Sequence, residues 1–129
     1  MLCRRFQALL VAVLCAFPAR LSQAQDEELR PAALAAIARA QQFLIASQAA
    51  DGSWEYSGHT SGATALVVMS LIYSGMPTDA PAVRRGLDFL RLEPIPDNVY
   101  DVSLMAMALS LSGDSAYVGR LKSLADWLV

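Results

Sequence analysis

A chain of 129 residues has room for one domain and no more. With 55% hydrophobic and 17% charged residues it is more apolar than an average globular protein. Its formal net charge is −2, so it offers no basic surface of the kind that nucleic acid or an anionic membrane requires.

Part of the apolar surplus lies at the N-terminus. Met1 to Arg5 carries Arg4 and Arg5, and Phe6 to Pro18 is almost wholly apolar. Ser22-Gln23-Ala24 then puts small residues three and one positions before a break into Gln25-Asp26-Glu27-Glu28. This is the pattern of a secretory signal peptide cleaved after Ala24, with residues 25–30 as an acidic linker. The apolar run falls short of the roughly 20 residues of a comfortable transmembrane helix, so no stable span is expected after cleavage; retention as an uncleaved anchor is the alternative. The expected location is extracytoplasmic, secreted or periplasmic. Both cysteines, Cys3 and Cys15, fall inside the leader, which leaves the mature chain without disulfide or thiolate chemistry. Cys15 follows Leu14, where a lipoprotein site wants a small residue, and is read as a leader cysteine. Arg4, Arg5 and Arg20 leave with the leader while every acid stays, giving seven basic against twelve acidic residues and a net charge of −5.

Pro31 to Gln48 is predicted to be a helix. Pro31 suits a first turn, and Ala33, Ile37, Ala40 and Leu44 recur at spacings of four, three and four, opposite Arg39 and Gln42. A polar loop, Asp51-Gly52-Ser53 through Ser57-Gly58-His59-Thr60-Ser61, leads into Gly62 to Ser74, which is apolar nearly all round and is expected to be buried on every side. Gly75 and Pro77 stop that helix, and Thr78 or Asp79 is placed to cap the next, Ala80 to Leu92, with the stripe Val83, Leu87, Leu90. After Glu93-Pro94-Ile95-Pro96-Asp97-Asn98, Val99 to Ser112 is again apolar all round. Gly113 ends it, and Tyr117, Leu121, Leu124 and Leu128 mark a fifth, amphipathic helix. The order is amphipathic, buried, amphipathic, buried, amphipathic. A repeat accompanies it: Gly62 to Gly75 overlays Tyr100 to Gly113 at an offset of 38, which also carries Phe89-Leu90 onto Trp127-Leu128. Hairpins of this kind bury their apolar helix only by stacking on neighbours, so the 129 residues are expected to be a piece of a longer parent.

The most specific signal is Arg39-Ala40-Gln41-Gln42-Phe43-Leu44-Ile45-Ala46-Ser47-Gln48-Ala49-Ala50-Asp51-Gly52-Ser53-Trp54. It resembles the QW motif of the prenyltransferase and squalene-cyclase repeat family: a basic residue and glycine, an aromatic-leucine pair, then glutamine, glycine and tryptophan. Ala40 stands in place of the glycine. A second copy begins as Arg85-Gly86-Leu87-Asp88-Phe89-Leu90 and lacks the glutamine and tryptophan; a third starts near Lys122. The motif residues Arg39, Phe43, Leu44, Gln48, Gly52, Trp54, Arg85, Gly86, Phe89 and Leu90 would serve structure: an amide for free backbone groups at helix ends, a turn without a Cβ, a ring over a helix end. The resemblance, from about Ala36 onward, implies an all-α fold, an α/α toroid of helical hairpins, here a partial ring of about five helices over residues 31–129.

The resemblance does not bring its enzymes' catalytic groups with it. Squalene cyclases use an Asp-x-Asp-Asp acid; the nearest pair here is Asp97 and Asp101, read as a loop acid and a cap or helix-dipole contact. Protein prenyltransferases hold zinc with aspartate, cysteine and histidine, and the mature chain has no cysteine and one histidine, so neither a metal nor another cofactor is expected. His59, beside Thr60 and Ser61 and near Ser57, is read as a solvated loop histidine. Tyr56, Tyr73, Tyr100, Met69, Met105 and Met107 could line an apolar cavity, and packing between hairpins explains them more simply. The expectation is an exported, non-catalytic scaffold for an unidentified protein or an apolar or lipid ligand. The alternatives are a terpenoid-cyclase-like enzyme whose acids lie beyond Val129, and a complement-type thioester toroid, whose cysteine-containing motif is missing here. Export argues against a cyclase, whose lipid substrate comes from the cytoplasmic side. Exported protein from a Sec-competent host should begin at Gln25 by mass spectrometry, and soluble product retaining Met1 would contradict the leader assignment.

Overall fold

The structure, a computed structural model, describes residues 29–129; the proposed cleavage site at Ala24, the leader cysteines and most of the acidic linker lie outside the described residues. The chain divides into two units, Met1–Arg39 and Ala40–Val129. Of the first, residues 29–39 are described and are helical. They run on into the second unit as one helix, α1, over 29–46. The second unit continues with α2 (Thr60–Tyr73), α3 (Pro81–Leu92), α4 (Val99–Leu111), a 3-10 turn (Ser115–Tyr117) and α5 (Val118–Leu128). The described residues are all-helical, as the hydrophobic periodicities require, and each helix lies within two residues of its expected bounds.

Local chemistry explains most of the ends. Neither Thr78 nor Asp79 caps α3; its N-cap is Ala80, with no side-chain bond, followed by Pro81. Proline has no N–H to satisfy and its φ is already helical, so the helix starts without a capping side chain. α4 is capped by Asn98, whose side chain accepts from Asp101 N, and the 3-10 turn is opened by Asp114, which accepts from Ala116 N.

α2 and α4 pack on each other, α3 lies against both, and α5 closes on α4. Their shared core holds Val68, Leu71, Val83, Leu87, Leu90, Val102, Met105, Leu109 and Leu124. The α3 stripe Val83, Leu87, Leu90 is buried as expected, and so are Tyr117 and Leu124. Burial raises the Tyr117 hydroxyl pKa above the ordinary tyrosine value, with the Asp88 carboxylate adding to the effect; the hydroxyl lies 3.4 Å from Asp88 Oδ1.

Two expectations of burial fail. α2 and α4 are not covered on every side: Leu66, Tyr73, Tyr100 and Met107 remain exposed, because the described helices leave one flank of this pair without a partner. Of the α1 stripe, the part within the second unit is likewise incompletely covered, with Ala40 exposed and Leu44 half-buried. Among the described residues no helix is long and apolar enough to cross a membrane.

Candidate functional site

The motif residues from Leu44 to Gly86 converge on one seam between the end of α1 and the first turns of α3. α1 ends with carbonyls that its own ladder cannot satisfy. Trp54 Nε1 donates to one of them, Leu44 O, at 2.7 Å, and the ring is 6% exposed. Gln48 Nε2 donates to Gly52 O and to Ala82 O, each at 2.9 Å, while its Oε1 accepts from the Arg85 guanidinium. The glutamine therefore bridges a loop carbonyl and a carbonyl in the first turn of α3, and does not satisfy a free group at a helix end as expected. Gly52 has φ +94°, and a Cβ there would sit 2.5 Å from Arg85 O and 2.8 Å from Arg85 C. A neighbouring backbone cannot swing aside, so this position requires glycine on both counts. Gly86 allows α3 to close on Val68 and Trp54, at 2.6 and 3.1 Å from where its Cβ would be.

The remaining motif positions differ. Arg39 and Phe43 lie on exposed faces of α1, Phe43 at 70%. Phe89 is half-buried against the core and Leu90 fully buried.

Three residues that tie the helices together, one in the seam and two outside it, escape a reading of the sequence by motif. Thr64, fully buried in α2, accepts from Trp54 N at 2.9 Å and donates to Trp54 O at 3.2 Å. A threonine inside an otherwise apolar helix was the available signal. Its counterpart at the 38-residue offset is Val102, in the repeat that has no tryptophan to hold. Gln41 Nε2 donates to Ser74 O and Ser74 Oγ, tying α1 to the end of α2. Arg120, onto which the same offset carries Ala82, donates to Glu93 O at the end of α3. The second hairpin thus makes the helix-to-helix link with a guanidinium where the first uses a glutamine amide. Burial lowers the Arg120 pKa from the ordinary arginine value.

A second cluster forms where the N-terminal ends of α2 and α4 meet. Asn98 caps α4 and Asp101 holds the capping amide: Asp101 N donates to Asn98 Oδ1 at 2.9 Å and Asn98 Nδ2 donates to Asp101 Oδ2 at 3.0 Å. Asp101 is 5% exposed, and its Oδ1 occupies the space that a Cβ on Gly62 would need, against the first turn of α2. His59 Nδ1 stands 3.3 Å from Asp101 Oδ2, so the histidine read as solvated is half-exposed and held by a buried carboxylate. Its partner comes from a different hairpin, which local sequence could not reveal. Asp97, the other acid singled out in the sequence, is exposed in the loop. His59 meets the Tyr100 ring edge-on at 6.2 Å. Beside them opens an apolar cleft of about 350 Å3 lined by Tyr56, His59, Ala63, Leu66, Val67 and Tyr100. Among the described residues no three His, Cys, Asp or Glu side chains gather to hold a metal ion.

Comparison of the chain with protein-family models, with curated proteins and with solved structures finds no match.

Two outcomes follow from the seam. Trp54→Ala should cost about 3 kcal/mol in chemical denaturation, as large-to-small core changes do; a loss below about 0.5 kcal/mol, typical of surface sites, would contradict its sealing role. Asp51 Oδ1 accepts from Ser53 N at 3.0 Å and Ser53 Oγ at 2.7 Å, and these bonds, the backbone one first, hold its carboxyl below the ordinary aspartate pKa. A depressed folded-state value means that the loop's stabilisation is present above the unfolded aspartate pKa and is lost as pH falls through the folded one. An NMR titration should place Asp51 below a model aspartate, and Ser53→Ala, which removes the hydroxyl bond and keeps the backbone one, should move it only part of the way back up.

Proposed function

We propose that this chain is an exported helical-hairpin protein of the prenyltransferase and squalene-cyclase repeat type, its hairpins arranged as in an α/α toroid. It acts as a binding scaffold for an apolar ligand, without chemistry of its own. Three features support the reading: the 38-residue repeat, the seam assembled from Gln48, Gly52, Trp54, Arg85 and Gly86, and the leader pattern. The sequence contains no Asp-x-Asp-Asp acid, which favours binding over turnover.

The observation that carries the binding role is the cleft between the N-terminal ends of α2 and α4. Its wall holds Leu66 at 42%, Tyr56 at 76% and Tyr100 at 58% exposure, side chains that water solvates poorly and that a ligand would cover. A cleft of about 350 Å3 falls in the range of small-molecule sites. The test uses an apolar solvatochromic dye, Nile red, titrated into the protein. Saturable uptake at one site is expected, and Leu66→Asp should weaken it at least about tenfold, the equivalent of about 1.4 kcal/mol, with an unchanged helical spectrum and melting curve. Absent uptake, or uptake indifferent to Leu66→Asp, would remove the binding role.

A further inference from the structure

We infer that the cleft takes an apolar chain that ends in a hydroxyl group, and that His59, positioned by Asp101, receives the hydroxyl hydrogen. The inference rests on the proposed binding role of the cleft and adds the chemistry of the head group.

The polar lip of the cleft is built around Asp101 Oδ2. That oxygen accepts from Asn98 Nδ2 at 3.0 Å and faces His59 Nδ1 at 3.3 Å. An oxygen already serving as acceptor for an amide presents lone pairs to the ring, so Nδ1 is the nitrogen that carries the hydrogen. In a neutral imidazole the other nitrogen is then an acceptor. His59 lines the cleft, and with Nδ1 turned to Asp101 it is Nε2 that remains for an occupant. The lip of an otherwise apolar cleft therefore offers a hydrogen-bond acceptor, half-exposed to water, whose water a hydroxyl occupant can replace and an ether cannot.

Charge decides which donor. The N-terminal ends of α2 and α4 each contribute roughly half a positive charge. The Asp101 carboxylate lies in the first turn of α4 and against Gly62 in the first turn of α2, so one negative charge stands between two half-positive ends. The sum is close to zero. A carboxylate head would meet an acceptor nitrogen with no compensating field, and an ammonium head would shed its hydration with no compensating field either. A neutral hydroxyl meets the acceptor without either cost, and its chain lies along Ala63, Leu66 and Val67.

The experiment is calorimetric titration of the whole chain with four probes of equal chain length: decyl alcohol, decyl methyl ether, decanoate and decylamine. Each is repeated with His59→Phe, which keeps an aromatic ring at a half-exposed position and removes the acceptor, and with Leu66→Asp. For the native chain the alcohol should bind tightest, about five- to tenfold better than the ether, the size of one hydrogen bond. His59→Phe should erase the difference between alcohol and ether, whatever the new ring does to the affinity of both. Leu66→Asp should weaken all four, including the amine, whose attraction to a merely acidic surface would instead rise. Equal binding of alcohol and ether by the native chain, a preference that survives His59→Phe, or tightest binding of decanoate or decylamine would overturn the head-group assignment and leave the apolar cleft standing. Failure of all four probes to bind would overturn both.

Discussion

The contact on which the rest of the structure depends is the approach of Gly52 to the backbone of Arg85. A side chain at Gly52 would fall 2.5 Å from Arg85 O, so the loop after α1 can lie on α3 only if that side chain is absent. Once it does, Gly52 O is within reach of Gln48 Nε2, Gln48 reaches Ala82 O, and Trp54 lands under the end of α1 with its indole on Leu44 O. Thr64 then holds the Trp54 backbone from the α2 side. One turn thus joins three helices. Each hydrogen bond is modest by itself, about 1 kcal/mol net, but breaking one strands a buried partner, which costs more than the bond contributed.

The same economy explains why the second hairpin can dispense with the motif. Its loop, between α3 and α4, is shorter by seven residues, 93–98 against 47–59, and has no tryptophan. The end of α3 is met from the other direction, by the Arg120 guanidinium of α5 on Glu93 O. A valine, Val102, replaces the threonine that had a tryptophan backbone to hold. The shorter loop also brings Asn98 and Asp101 to the start of α4 beside His59, and so creates the polar lip at the cleft. The two hairpins differ most in their loops, and the cleft lies where the first loop and the start of α2 meet the first turn of α4.

Much of this was legible in the sequence because it is local. Gly75, Pro77 and Gly113 punctuate helices whose apolar periodicity is unambiguous, and the α3 stripe Val83, Leu87, Leu90 is buried as its spacing requires. Asp101 as an acid in the first turn of α4 is likewise a local property, read from its place at the start of the apolar run, although the cap itself is Asn98. What the sequence did not disclose was pairing between side chains far apart along the chain. His59 and Asp101 are 42 residues apart, and Gln41 and Ser74 are 33 apart. Nothing in either residue's neighbourhood names its partner. The full burial expected for α2 and α4 failed for a related reason: periodicity shows that a helix face wants covering, and only the arrangement of the chain shows whether something covers it.

The primacy of the Gly52 approach can be separated from ordinary backbone preference by comparing two alanine substitutions. Gly52 and Gly58 both have positive φ, +94° and +81°, so either alanine incurs the left-handed cost of about 1–2 kcal/mol. Gly58 has open space around it, whereas Gly52 faces the Arg85 backbone. Equilibrium denaturation should therefore find Gly52→Ala less stable than Gly58→Ala by a further 1–3 kcal/mol or so, the cost of forcing extra volume into packed structure. Equal losses for the two variants would contradict the account, because they would mean that the loop tolerates a side chain where α1 is said to be joined to α3.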